Sequence, residues 1–343
     1  MKYLFIILFS LGIHLCYGQI KLKTVMETYN DSVKIKNYGI VGLLKTKKKT
    51  EKFCIGFSAA NKSMNENNIF NIGSLTKTFT AVLILQEVEK GVLHLNDSLH
   101  MFFPKELCDN ENIDLNITIE QLLRHRSGLG EVLIDTLVNN AFHNPFFDYN
   151  YSFLFNKVPK PTTIPGTKYK YSNTNYILLG YILELVNNLP YSEILRKRIF
   201  EPCRMKSSYA YYSSHIENAA HPIFEKEDLS EYGFFKYYQT FSFSAGGISS
   251  NVKDLSRFLT SLYDYKLFEK TTFEKMITFC DKNSGLGLEK YFINGNEYYG
   301  HSGANLSFKV KNFFDPKTGK ILILLANDYN DEFLSRIANE LLN

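Results

Sequence analysis

The sequence predicts an α+β fold: one antiparallel sheet built from both chain ends, flanked by helices, with a mainly helical lobe inserted between the two halves. Three observations predict it. First, the β-prone runs Tyr38–Lys45 and Lys52–Ser58 flank a lysine-rich tip, which is a hairpin pattern. Second, the runs Tyr291–Tyr299, Ala304–Phe314 and Lys320–Asn327 lie near the C-terminus, the last two joined by the turn Asp315-Pro316-Lys317-Thr318-Gly319. Third, the apolar period between these groups is helical. The sheet lobe is then expected over about residues 19–73 and 241–343 and the helical lobe over about 74–240. A pocket is expected between the lobes.

In chain order, residues 1–18 read as a signal peptide. Lys2 is its charged start, Leu4 to Leu15 its apolar run, and Cys16-Tyr17-Gly18 places small residues at −3 and −1 before Gln19. The run is too short for a comfortable membrane span. An exported chain, periplasmic or secreted, with no transmembrane segment after cleavage is expected. Cys16 follows the bulky Leu15, a poor lipoprotein pattern. Residues 22–36 read as a helix ahead of the hairpin. From Leu75 the spacing of Leu75, Phe79, Val82 and Leu83 gives an apolar stripe, with Gly91 placed to stop the helix. Thr118 and Gln121 form a capping-box pattern for a short helix closed by Ser127-Gly128. Residues 130–165 are aromatic-rich helix and loop, and Pro159, Pro161, Pro165 and Gly166 stiffen the connection. A second clear helix spans Asn175–Asn187, and residues 203–240 are loop-rich. Gly246-Gly247-Ile248 is a turn or strand start. Asp254–Tyr263 and Glu332–Leu342 are amphipathic helices.

Composition narrows the function. With 45% hydrophobic and 22% charged residues the chain of 343 is an ordinary globular one. The net charge of +4 is spread along it, and the longest basic run, Lys45 to Lys52, reads as a solvated hairpin tip, so no nucleic-acid partner is expected. After cleavage Cys54, Cys108, Cys203 and Cys280 remain, with no Cys-x-x-Cys or Cys/His metal spacing. They either pair in one of three ways or stay as free thiols. No metal and no cofactor is expected. The aromatic loops at 142–155 and 232–243 read as packing rather than pocket wall, given 23 tyrosines and 28 phenylalanines to house.

Three clusters carry the chemistry. Ser74 stands at a helix mouth, where free N–H groups and the dipole favour developing negative charge. Lys77 lies one turn on along the same face, and a desolvated lysine is a base for a serine nucleophile. Tyr171-Ser172-Asn173 offers a tyrosine that, near cations, ionises below its usual pKa of about 10, and an amide with both donor and acceptor. His301-Ser302-Gly303 lies between two strands. Its glycine lets a substrate backbone approach a strand edge, and its histidine can donate a hydrogen bond to an anionic or carbonyl group. Taken singly, each has a plainer explanation: Ser74 and Asn173 as helix caps, Tyr171 as packing, His301 as a structural histidine.

The order and spacing of the three clusters resemble the class C β-lactamases, DD-peptidases and related serine esterases. Those carry Ser-x-x-Lys at a helix start, Tyr-x-Asn in the helical lobe and Lys/His-x-Gly on a late strand. Leu122–Leu129 (LLRHRSGL), the block from Pro165-Gly166 to Leu179-Gly180, and that from Ala245 to Phe258 resemble further family segments, so the likeness runs from about residue 38 almost to the C-terminus. The resemblance implies a β-lactamase/transpeptidase-like domain over residues 19–343. It makes Ser74 the acylated nucleophile, Lys77 its partner in proton transfer, and Tyr171 the base for Ser74 and the hydrolytic water, with the first base of the two left open. Asn173 would hold the substrate amide and Lys77, the N–H groups of Ser74 and Ala304 would form the oxyanion hole, and His301, Ser302 and Gly303 would orient the substrate. The segments LLRHRSGL and DLSRF read as structural. One departure is His301, where class C β-lactamases typically carry lysine, and it points away from an efficient β-lactamase. The expected activity is acyl-enzyme hydrolysis of amide or ester bonds in D-amino-acid peptides or β-lactams. The alternatives are a small-ester esterase of the same fold, or a non-catalytic sensor or binding protein, which would not require all of Ser74, Lys77, Tyr171, Asn173 and His301.

Overall fold

The computed structural model describes residues 24–25, 27–28, 38–103, 109–135, 137, 147, 149–230, 242–280, 283–305 and 307–343. The expected leader, Cys108, most of the 22–36 helix and much of both aromatic loops lie outside the described residues. Thr24, Val25, Glu27 and Thr28 are helical.

The strands are β1 Gly39–Lys45, β2 Thr50–Ala59, β3 Lys62–Ser63, β4 Phe70–Asn71, β5 Ile223–Phe224, β6 Glu227–Asp228, β7 Ser249–Ser250, β8 Glu289–Ile293, β9 Asn296–Gly300, β10 Gly303–Asn305, β11 Phe308–Phe314 and β12 Ile321–Ala326. The helices that matter here are α1 Thr76–Glu89, α2 Ile119–Leu123, α3 Tyr151–Asn156, α4 Asn173–Asn187, α5 Tyr191–Leu195, α6 Val252–Tyr263, α7 Lys270–Met276 and α8 Asp331–Leu342. The main sheet has the order β3-β2-β1-β12-β11-β9-β8, with β10 paired to β11. β1 pairs antiparallel with β2 from Gly39↔Gly56 to Lys45↔Thr50, and with β12 from Ile40↔Ala326 to Lys45↔Ile321. The two chain ends therefore meet in mid-sheet, as the patterning predicts.

Alternation along these strands divides the core into two layers. Val41, Leu43, Val310, Ile323 and Leu325 join the larger core that includes α1 and α4. Ile40, Phe313, Leu322 and Leu324 face Leu334, Ile337 and Leu341 of α8. β12 is buried at every position and so reads as an unbroken apolar run rather than an alternating one.

Three expectations change. The run Tyr291–Tyr299 is two strands, because Asn294 (φ +49°) and Gly295 (φ +75°) form a tight turn with both residues left-handed. The run Ala304–Phe314 is likewise the hairpin β10–β11, with Asn305 opposite Phe308. α1 does not carry a single apolar stripe: every residue from Thr76 to Leu85 is buried. Its buried hydroxyls are all matched, Thr78 donating to the Gly287 carbonyl at 2.8 Å, Thr80 to that of Ser244 at 2.7 Å, and Thr76 accepting from Ile248 N–H at 3.2 Å. Phe79 stacks on Phe258 of α6 at 3.7 Å. α1 is thus the central post of the molecule. The capping box at Thr118 and Gln121 is present as predicted, although α2 ends already at Leu123. Cys54, Cys203 and Cys280 are free thiols.

Candidate active site

Two glycines place the serine. A single 3-10 turn, Gly73–Leu75, leads into α1, and Gly73 takes φ +50° with its α-carbon against the Ala304 peptide. A Cβ there would sit 2.5 Å from the Ala304 carbonyl oxygen, and a Cβ on Gly303 would sit 1.9 Å from the Ile72 carbonyl oxygen. The backbones of the serine turn and of β10 are in direct contact, so Ser74 lies beside the Ala304 peptide. The space at Gly303 is taken by the serine turn, not by a substrate backbone, which corrects the sequence-based reason for that glycine. Gly303→Ala is expected to cost about 3 kcal/mol of stability, because backbone rather than a flexible side chain blocks the methyl. Equilibrium urea unfolding would check it.

Ser74 is half-exposed at the head of this buried post, whereas Lys77 is 0% exposed. Lys77 Nζ lies 3.0 Å from Ser74 Oγ, 2.7 Å from Asn173 Oδ1 and 2.6 Å from the Ala245 carbonyl oxygen. Burial disfavours its charged form and lowers its pKa from the usual 10.5 to about 7, with Glu131 and Glu289 opposing part of that shift. Tyr171 approaches from the start of α4, and its hydroxyl donates to Ser74 Oγ at 2.7 Å. Here the sequence-based expectation fails. Burial pushes the Tyr171 pKa up; the Ser74 hydrogen bond opposes this, and Glu289 and Glu131 reinforce it. Burial thus favours the neutral phenol of Tyr171 over an ionised base.

Asn173 is the first residue of α4 rather than its cap; Ser172 holds the N-cap position without a side-chain cap hydrogen bond, its hydroxyl donating to the Gly130 carbonyl. Glu131, which sequence reasoning missed, fixes its amide. One Glu131 oxygen accepts from Asn173 N–H at 2.7 Å and Asn173 Nδ2 at 3.1 Å, and the other from Leu133 N–H at 2.7 Å. A carboxylate only accepts, so Asn173 Nδ2 must face it and Oδ1 must face Lys77. Nothing in the local pattern marks Glu131, a single acid in an irregular segment. Glu131→Gln is expected to move the acidic limb of the kcat/KM–pH profile to lower pH, because its charge holds the Lys77 pKa up. An unmoved limb would remove Glu131 from the electrostatics of the site.

His301 is buried, and its pKa is lowered by burial; Glu289 opposes the shift and Lys77 adds to it. Its Nδ1 donates to the Ser302 carbonyl at 2.6 Å, so the neutral ring keeps Nε2 as an acceptor. A histidine so held offers neither a positive charge nor a ring donor from Nε2, contrary to the role expected of it. Asn312 anchors the same turn by donating to the His301 carbonyl at 2.7 Å. Ser302 N–H donates to Tyr291 Oη at 3.1 Å, and Tyr291 in turn donates to Glu289. Ser302 lines a cavity of about 390 Å³ beside α8, with Lys309 and Asp331. The structure thus brings Ser74, Lys77, Tyr171 and Asn173 into one hydrogen-bonded array. Ala304 flanks it along the backbone, and His301 adjoins it electrostatically.

A Ser-x-x-Lys pair with a buried lysine and a tyrosine hydroxyl on the serine oxygen, beside a sheet joining both chain ends, defines a serine hydrolase fold of the β-lactamase and penicillin-binding type. The chain belongs to the beta-lactamase family, whose model matches residues 34–342. It is similar to the putative penicillin-binding protein PbpX of Bacillus subtilis (strain 168), 27% identical over 83% of this chain and 70% of that protein. Protein flp of Staphylococcus aureus (strain MW2) is 24% identical over 79% of this chain, which spans only 55% of flp. Among solved structures, the fold matches the D-amino acid amidase from Ochrobactrum anthropi SV3 complexed with D-phenylalanine (TM-score 0.77, 22% identity, 94% of this chain and 98% of that one). It also matches a class C beta-lactamase mutant (TM-score 0.74, 20% identity, 94% and 96%).

Proposed function

We propose that the protein hydrolyses amide bonds of D-amino-acid amides and short D-peptides through an acyl-enzyme at Ser74. The observation that carries this reading is the array around Ser74 Oγ, 2.7 Å from Tyr171 Oη and 3.0 Å from Lys77 Nζ. A neutral Lys77 amine has two hydrogens, which Asn173 Oδ1 and the Ala245 carbonyl accept. Its lone pair is then left for the Ser74 hydroxyl proton. Tyr171, donating to the same Oγ, keeps that proton directed at Lys77. Lys77 takes the proton as Oγ bonds to the substrate carbonyl carbon, and the Ser74 and Ala304 N–H groups receive the oxyanion. The proton returns by way of the Tyr171 hydroxyl to the leaving nitrogen as the C–N bond breaks. Water then attacks the ester with the same groups in reverse order.

Charge supports an amide with a free amino group over a carboxylate-bearing β-lactam. Glu131 and Glu289 act on the centre, burial favours a neutral His301, and both hydrogens of the neutral Lys77 amine are already taken by protein acceptors. The D-amino acid amidase among the structural matches lends the same substrate class. The test follows ammonia release from D- and L-phenylalanine amide, hydrolysis of p-nitrophenyl acetate, and intact mass with benzylpenicillin, with Ser74→Ala as control. D-amide turnover and Ser74-dependent acylation are expected. Ester turnover alone would make it an esterase, and silence across the panel would end the enzymatic reading.

A further inference from the structure

We infer that His125, in a segment the sequence marks only as structural, is the positioning residue for Tyr171. This rests on the reading of Ser74 and Tyr171 as a catalytic pair. His125 follows α2 in the left-handed region (φ +54°), a conformation that residues other than glycine adopt only when their surroundings hold them there. From that position it grips both neighbours of Tyr171. Its carbonyl accepts from Lys170 N–H at 2.8 Å, and its Nδ1 accepts from Ser172 N–H at 3.3 Å. Its ring lies over the Tyr171 ring, 4.3 Å between centroids and 29° between planes. Lys77 Nζ lies 5.0 Å from the Tyr171 ring centroid.

The histidine is itself held in one orientation. Ser127 Oγ donates to Asn175 Oδ1 at 2.6 Å, so the Asn175 amide turns its Nδ2 toward His125 Nδ1, at 3.2 Å. With two N–H groups pointing at Nδ1, the ring proton sits on Nε2. Burial together with Lys77 and His301 disfavours a second proton. Backbone contacts to Lys170 and Ser172 and a ring contact to Tyr171, with further ring contacts to Tyr169 and Tyr176, hold the segment whose Tyr171 hydroxyl must stay 2.7 Å from Ser74 Oγ.

A double-mutant cycle separates positioning from folding. His125→Asn tolerates the left-handed backbone and keeps an acceptor for Ser172 N–H, so it removes the stacked ring. Asn175→Ala is a milder variant that loosens the ring without removing it. Acylation by p-nitrophenyl acetate is measured by stopped flow, per active site titrated with a serine-directed phosphonate, so that misfolded molecules do not count. His125→Asn is expected to slow acylation about 10- to 100-fold with KM within about twofold. Asn175→Ala should slow it severalfold. Placed on Tyr171→Phe, each should change the residual rate by less than about twofold. Equal losses in both backgrounds, or an unchanged rate per titrated site, would overturn the role of His125. If the wild type shows no Ser74-dependent acylation, the catalytic reading fails instead.

Discussion

Ser74→Ala is expected to lower D-amide turnover by about 10³–10⁶-fold while leaving the fold intact. The loss follows from the geometry, because Ser74 Oγ is the nucleophilic atom held between the Lys77 amine and the Tyr171 hydroxyl. The tolerance follows from what Ser74 does not do. A serine at a helix start is ordinarily a cap, yet neither the 3-10 turn nor α1 has a side-chain cap hydrogen bond at its start. Its hydroxyl is directed away from the backbone, into the site. The substitution should therefore shift stability by no more than about 1 kcal/mol. Loss of the acyl adduct by intact mass together with an unchanged urea midpoint is the expected pair of results. Full turnover in the variant would place the nucleophile elsewhere.

What the sequence reveals, and what it hides, has a physical division. Features set by local period were legible: the hairpin before Ala59, the meeting of both termini in one sheet, the capping box at Thr118, and helices α4 and α6. The three site clusters were legible too, because each is a short string with its spacing intact. Turns were misread where the signal was one dipeptide inside an apolar run, as at Asn294-Gly295. Glu131 and the ionisation of Tyr171 were not legible at all. Both depend on burial and on partners far along the chain: Glu131 matters only because α4 lays Asn173 against it, and the Tyr171 pKa is raised because its side chain is buried. Electrostatic roles are tertiary properties, and a motif names the residue without its protonation state.

That distinction yields the second large effect. Lys77→Met is expected to reduce kcat/KM by about 10²–10⁴-fold and to abolish the acidic limb of its pH profile. In the wild type only the neutral amine can accept the Ser74 proton. Below the Lys77 pKa of about 7 the amine is protonated, and kcat/KM should fall tenfold per pH unit as pH drops. Above it the rate should level off. Methionine has nearly the length of lysine and brings no charge into a fully buried position, though it leaves Asn173 Oδ1 and the Ala245 carbonyl without a donor, at about 1–3 kcal/mol each. Lys77→Arg is the sharper control. It is ionised at every accessible pH and so cannot serve as the base, and it should be no more active than methionine. If the residual activity of both variants kept a limb near pH 7, Lys77 would not be the titrating group, and the first proton transfer would have to be reassigned within the Ser74–Tyr171 pair.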